Sequence, residues 1–205
     1  MTRRFEVPWQ PGTNAWRGTI KGISQSLKQM EIQTDDHTDR SNLGRHSRRA
    51  IALMDACCQE GQLILDAGAG NSPCRDFLPG KVVGIDIRTT PLVDVQASLD
   101  GLPFPDELFD GVACYQVLFY RRDPVPWLKE IHRVMKRGGW FALSVSRPKA
   151  VHRKWDDAKQ TLCDWPGRRW VREIMLLGLS DDSPLIERAI RSNFGAYFFR
   201  LFRKI

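Results

Sequence analysis

Between residues 45 and 146, short apolar runs alternate with longer stretches whose apolar positions recur at helical spacing. Leu63, Ile64 and Leu65 form one run, closed by Asp66. Lys81–Ile87 forms a second, with Asp86 near its end; Leu92–Val95, Val112–Val117 and Trp140–Val145 complete the set. Runs this short, bounded by turn residues and partly β-branched, read as strands buried on both faces. In Arg45–Glu60, Ala50, Ile51, Met54 and Cys58 fall on one helical face, and Gly61 ends the helix. Asp123–Lys136 reads as a further helix with Trp127, Leu128, Ile131, Val134 and Met135 inward, stopped by Gly138-Gly139. Strand and helix in alternation predict an α/β protein whose mostly parallel sheet is flanked by helices.

The ends of the chain are less regular. Gly167–Leu177 reads as a helix through Trp170, Val171, Ile174 and Leu177. In Ser183–Phe194 two readings stay open: a helix started by Ser183-Pro184, or a strand across Leu185–Arg191. Ala196–Arg203 is apolar and aromatic enough for a last strand, which would close the sheet edge if antiparallel. Residues 1–44 combine Trp9, Trp16, Pro8, Pro11 and Gly12 with a polar middle and a possible helix over Gly18–Glu31. They read either as a loosely packed arm or as a lid over a substrate. The expected organisation is an arm or lid at 1–44 followed by one domain at 45–205.

Composition narrows the classes. The 205 residues hold no run of 18 apolar positions, so no membrane span is expected. The first residues lack the apolar stretch of a secretory signal, which makes a cytoplasmic protein the expectation. Five cysteines, with Cys57 and Cys58 adjacent and no C-x-x-C pair, argue against a disulfide framework and a metal site. The net charge of +7 permits an anionic partner, but the basic residues are scattered, and solvated surface is favoured over a nucleic-acid footprint.

The chemistry gathers at residues 66–86. After the first strand, Gly68 and Gly70 let the backbone turn sharply and approach a ligand closely. Ser72-Pro73 can cap and open a helix. A strand, a glycine turn and a helix start suit a nucleotide-like ligand at the carboxyl end of a sheet. Asp86, 18 residues past Gly68, stands at the tip of the next strand, where a carboxylate can accept two hydrogen bonds from a ribose diol.

Four segments in order, Leu-Asp-Ala-Gly-Ala-Gly (65–70), Val-Val-Gly-Ile-Asp (82–86), Leu-Pro-Phe-Pro-Asp-Glu-Leu-Phe-Asp (102–110) and Glu-Ile-His-Arg-Val-Met-Lys-Arg-Gly-Gly (130–139), resemble the class I S-adenosylmethionine-dependent methyltransferases. The similarity is greatest to their type 11 small-molecule branch and covers about residues 48–146. It implies a Rossmann-like three-layer sandwich with an antiparallel last strand. It also implies S-adenosylmethionine as cofactor, with Asp66, Gly68, Ala69 and Gly70 at its methionine end, Asp86 on its ribose and Ile87 against its adenine. Ser98 stands where the family usually carries an Asp near the adenine amine; Ser98 and the backbone of Leu99 would take that part. Gln116 would face the methionine part. Leu118-Phe119-Tyr120 replaces a common Leu-Glu-His, which points either to a more apolar acceptor pocket or to weakened catalysis.

The implied reaction is transfer of the cofactor's methyl group to an oxygen or nitrogen of a small metabolite, which requires alignment and desolvation more than a fixed triad. His37, His46 and His152 are the candidates for a general base, and Arg45 and Arg49 for the cofactor carboxylate; His132, mid-helix, reads as surface or packing. Trp9, Trp16, Trp155, Trp165 and Trp170 lie outside the matched stretch, where acceptor pockets are built, and suggest an aromatic or anionic acceptor. Cys114 lacks the Pro-Cys context of a thiol nucleophile and reads as core. The charge keeps an RNA or protein methyltransferase as the second reading; a non-catalytic cofactor-binding descendant is the third. A nicotinamide oxidoreductase is disfavoured because Pro73 stands where the third glycine of that fingerprint belongs.

Overall fold

The structure is a computed structural model, and it describes residues 58–70, 75, 80–146, 162–181 and 197–205. Seven strands form one sheet: β1 (Leu63–Ala67), β2 (Lys81–Asp86), β3 (Val95–Gln96), β4 (Phe109–Tyr115), β5 (Met135–Ser146), β6 (Leu179–Asp181) and β7 (Tyr197–Lys204). Their order is β3-β2-β1-β4-β5-β7-β6. β7 runs antiparallel to both neighbours, and the other pairings are parallel. The sheet is mostly parallel, as the alternation predicts, and the fold is Rossmann-like with an antiparallel strand, as the resemblance implies. Two helices are described, α1 (Val125–Val134) and α2 (Gly167–Met175), with a 3-10 turn at Leu118–Tyr120.

Alternation along each strand divides the sheet into two buried faces. Leu65, Val83, Val112, Phe141 and Phe202 lie in register on one face, under Leu128, Ile131 and Val134 of α1 and Trp170 and Ile174 of α2. Ile64, Val82, Ala113, Trp140 and Leu201 lie on the other, each at most 6% exposed. At Gly111 the indole of Trp140 lies so close to the backbone that an added Cβ would stand 2.1 Å from Cε2, so only glycine fits.

Several elements differ from the periodicity reading, each for a long-range reason. α1 ends at Val134 because Met135 turns extended and pairs with Phe109. The amides of Glu107 and Leu108 then donate to the carbonyls of Arg133 and Val134, and the buried Lys204 ammonium donates to those of His132 and Met135. Gly138-Gly139 falls inside the shifted opening of β5, not at a helix end. β3 is Val95–Gln96 and not Leu92–Val95, because the Leu92 carbonyl is taken by the Arg75 guanidinium at 2.6 Å. β4 runs from Phe109 to Tyr115 because Gln116 adopts φ 60° and turns the chain. β7 does not close the edge: it inserts between β5 and the unanticipated β6, which forms that edge. The expected helices at 45–60 and after Ser72, and the segments 1–44 and 183–194, lie outside or almost wholly outside the described residues.

Candidate functional site

The carboxyl ends of β1, β2 and β4 converge on one cleft, built first from backbone. At the end of β1 the chain enters the left-handed region at Gly68 (φ 82°) and Gly70 (φ 50°). Gly68 and Ala69 N–H both donate to the carbonyl of Ile85, at 2.8 and 2.7 Å, which straps the turn to β2. A Cβ on Gly68 would lie 2.3 Å from a methyl of Val117, so the turn packs directly against the segment after β4. Thr90 Oγ1 donates to the Gly70 carbonyl and holds the far side of the turn.

Asp86 closes β2 with its carboxylate 7% exposed at the cleft floor. Oδ1 accepts from the backbone N–H and Nε of Arg88, at 2.8 and 3.2 Å; Oδ2 accepts from Nη2 at 3.4 Å. Burial works against ionisation here, but the bonds and charge of Arg88, with the Gly70 amide, outweigh it and hold the Asp86 carboxyl below its ordinary value. The next residue, Ile87, is an apolar side chain left 68% exposed where it lines the cleft. With Ala97 and Leu99 it offers an apolar slot beside the carboxylate.

The cleft has a volume of about 650 Å³, within the usual range for a site holding one nucleoside-sized ligand. Asp66, Gly68, Ala69, Gly70, Asp86, Ile87, Ser98, Leu99 and Gln116 all line it, so every expected cofactor-contacting residue is brought to one place. Gln116 is fixed by two bonds of 2.7 Å to Ser144, one from its backbone N–H to the carbonyl and one from Nε2 to Oγ. Ser98 is committed locally: its hydroxyl donates to Asp100 Oδ2 at 2.9 Å and accepts from the Asp100 amide at 3.1 Å. Asp100 also pairs with Arg121, tying the loop after β3 to the loop after β4 across the rim.

Among the described lining residues, three carboxylates, Asp66, Asp86 and Asp100, face the cleft against the guanidinium of Arg88. A flat apolar slot, a carboxylate placed for a diol and an acidic wall suit a nucleoside that carries positive charge. The glycine turn meets the requirement of close backbone approach. These residues therefore fit S-adenosylmethionine, whose sulfonium and ammonium groups are cationic.

The tryptophans are redistributed relative to expectation. Trp165 and Trp170 do not line the cleft: they are 8% and 2% exposed, with ring centroids 4.9 Å apart in the core, and Arg169 covers Trp165 at 4.4 Å. The aromatic lining comes from Tyr115, Tyr120 and Trp127. Trp127 shares the helical face of Ile131 and Val134 and, as periodicity predicts, packs partly against the core; its place in the first turn of α1 also brings it to the cleft at the sheet's carboxyl edge. Asp100 and Arg88, two residues past Ser98 and Asp86, carry no signal of their own in the sequence, and only their side-chain partners mark them as part of the site.

Cys58, Cys114 and Cys163 are buried, in keeping with small apolar packing. Burial, and after it the charge of Asp66, pushes the Cys114 thiol far above its ordinary value, which leaves it no nucleophilic role. His132 is half-buried away from the cleft, where burial and Lys204 lower its pKa against an opposing pull from Glu107. His37, His46, His152, Arg45, Arg49, Trp9, Trp16 and Trp155 lie outside the described residues. Among the described lining residues there is no histidine.

Residues 65–143 match the family model described as a methyltransferase domain. Over 117 residues the chain is 30% identical to the fatty-acid O-methyltransferase of Mycolicibacterium smegmatis, covering 48% of this chain and 42% of that one. Over 120 residues it is 32% identical to the demethylmenaquinone methyltransferase of Symbiobacterium thermophilum, covering 50% and 46%. The chain thus spans less than half the length of each of these relatives. Among solved structures, the 1,6-didemethyltoxoflavin N1-methyltransferase of Burkholderia thailandensis, with bound 1,6-didemethyltoxoflavin and S-adenosylhomocysteine, superposes with a TM-score of 0.61 at 18% identity, over 89% of this chain and 86% of that one. At that identity the likeness concerns the fold.

Proposed function

We propose that this chain, whose residues 65–143 match the methyltransferase-domain family model, is a type 11 class I S-adenosylmethionine-dependent methyltransferase and methylates an oxygen or nitrogen of a small metabolite in the cleft at the carboxyl ends of β1, β2 and β4. The observation that carries the reading is the convergence of the Gly68–Gly70 turn, the Asp86 carboxylate and the exposed Ile87 on one cavity of nucleoside size. When bound, the cofactor supplies an electrophilic methyl group on sulfur.

The chain's own residues bind, orient and exclude water. Asp86 accepts from the ribose hydroxyls, and the glycine turn and Gln116 hold the amino-acid end. Ile87 and Leu99 enclose the base. Asp66, 4% exposed, places negative charge at the methionine end, where it balances the ammonium group. Tyr115, Tyr120 and Trp127 form the wall facing the acceptor, which favours a flat or apolar molecule. Phe119 is 4% exposed and packs in the core, so of the two residues that replace the family's usual polar pair only Tyr120 stands on this wall.

The names of the two relatives point to a fatty acid and a demethylmenaquinone, both small molecules, which supports the same substrate class here. The net charge of +7 supports RNA or an acidic protein as the second acceptor class. Calorimetric titration with S-adenosylmethionine, S-adenosylhomocysteine and NAD tests the reading: micromolar binding of the first two and none of NAD is expected, and the reverse pattern overturns it. An RNA mobility shift that fades steeply with salt would move the acceptor to RNA.

A further inference from the structure

Asp86 is at once the group a ribose diol needs and a group already engaged. The Arg88 backbone N–H approaches Oδ1 from the chain itself and need not move when a ligand arrives. The guanidinium is different: Nε lies 3.2 Å from Oδ1 and Nη2 lies 3.4 Å from Oδ2, so it occupies both oxygens. It arches over the glycine turn as well, with Nη2 2.7 Å from where a Gly70 Cβ would stand. Diol, guanidinium and glycine turn therefore contend for one volume at the cleft floor.

We propose that Arg88 is a built-in competitor for the diol-binding carboxylate, which sets the affinity of the cleft for its nucleoside by having to be displaced. The inference rests on the cofactor reading above. Both bonds are longer than good charge-assisted bonds, and the Arg88 side chain is 69% exposed, so it leaves Asp86 readily and is rehydrated outside. The competition is consequently mild: an ion pair of this exposure corresponds to about a 1.5- to 5-fold effect on binding. Because its guanidinium lies in solvent while the Asp86 carboxylate is buried, the pair is partly screened by salt, whereas the neutral contacts of the nucleoside are not.

Titration of wild type, Arg88→Ala and Arg88→Lys with S-adenosylhomocysteine, at about 20 mM and about 1 M salt, tests this. Arg88→Ala is expected to bind about 1.5- to 5-fold more tightly than wild type at low salt, with the gap closing at high salt. Arg88→Lys, which keeps the charge and loses the planar fork, is expected between the two. Equal or weaker binding by Arg88→Ala at low salt, with wild type still binding, overturns the competition while leaving the cofactor reading in place. Failure of all three proteins to bind removes the cofactor reading, and the competition with it.

Discussion

Replacing Gly68 by alanine puts the site's construction to a quantitative test. At φ 82° an L-residue is strained, at a cost of about 1–2 kcal/mol. The added methyl meets Val117 Cγ2 at 2.3 Å, Cγ1 at 2.9 Å and Cβ at 3.1 Å, an overpacking that costs about 1–3 kcal/mol more. The two effects together remove about 2–5 kcal/mol, a large share of the about 5–15 kcal/mol typical of a domain. They separate in a double-mutant cycle read by urea denaturation. Val117→Ala alone, at a half-buried position, costs about 1–2 kcal/mol. Gly68→Ala/Val117→Ala removes the clash but keeps the strained φ, so its loss should fall short of the sum by about 1–3 kcal/mol. Val117 also lines the cleft, so Gly68→Ala should weaken S-adenosylhomocysteine binding about tenfold or more, and the double variant should recover part of it. Additivity within about 0.5 kcal/mol would refute the argument that the turn and the segment after β4 are in direct contact.

Asp86→Asn should keep the fold and weaken S-adenosylhomocysteine about 10- to 100-fold in calorimetry, since two bonds to a charged acceptor are compromised. Arg133 donates to Glu130, Asp106 and the carbonyls of Leu102 and Phe104, tying the 102–106 loop to α1; Arg133→Met should cost about 2–4 kcal/mol in urea denaturation, discounted for its 30% exposure. Trp165→Ala should cost about 3–5 kcal/mol of stability while leaving cofactor affinity in the surviving folded protein unchanged; a binding loss at full stability would return this residue to the cleft. Asp86 and Asp110 are held below their ordinary values against the opposing effect of burial, by Arg88 for the first and by Lys136 and the Leu63 amide for the second; Glu130 is lowered chiefly by Arg133. Folded values below unfolded ones contribute stability that is complete above the ordinary carboxylate range of about 4, and is lost as pH falls through the folded values. Acid titration of the urea midpoint should therefore show stability falling below about pH 4, with the loss smaller in Asp110→Asn.

Neighbouring residues settle part of this protein among themselves, and that part is legible in the chain alone. Three apolar residues closed by an acid make a buried strand, and two glycines after it make a turn of positive φ. A second such run carries Asp86 to its tip. These signals each lie within a dozen residues, and placement at the strand ends follows once the sheet is parallel, so the amino-acid order already specifies the cleft floor. Partners far along the chain settle the rest, and only folding brings them together. β7 enters between β5 and β6 because its amides and carbonyls pair on both sides, and no local pattern records which edge a strand will meet. α1 stops at Val134 because Glu107, Leu108 and Lys204 supply the bonds its last carbonyls need. Trp127 and Trp170 carry the same side chain at the same helical spacing. One reaches the cleft and the other the core because α1 begins at the carboxyl edge of the sheet, whereas Trp170 faces the sheet beside Trp165. Arg88 carries no signal of its own in the sequence, yet its fork reaches back over the glycine turn to pair with the Asp86 carboxylate at the cleft floor.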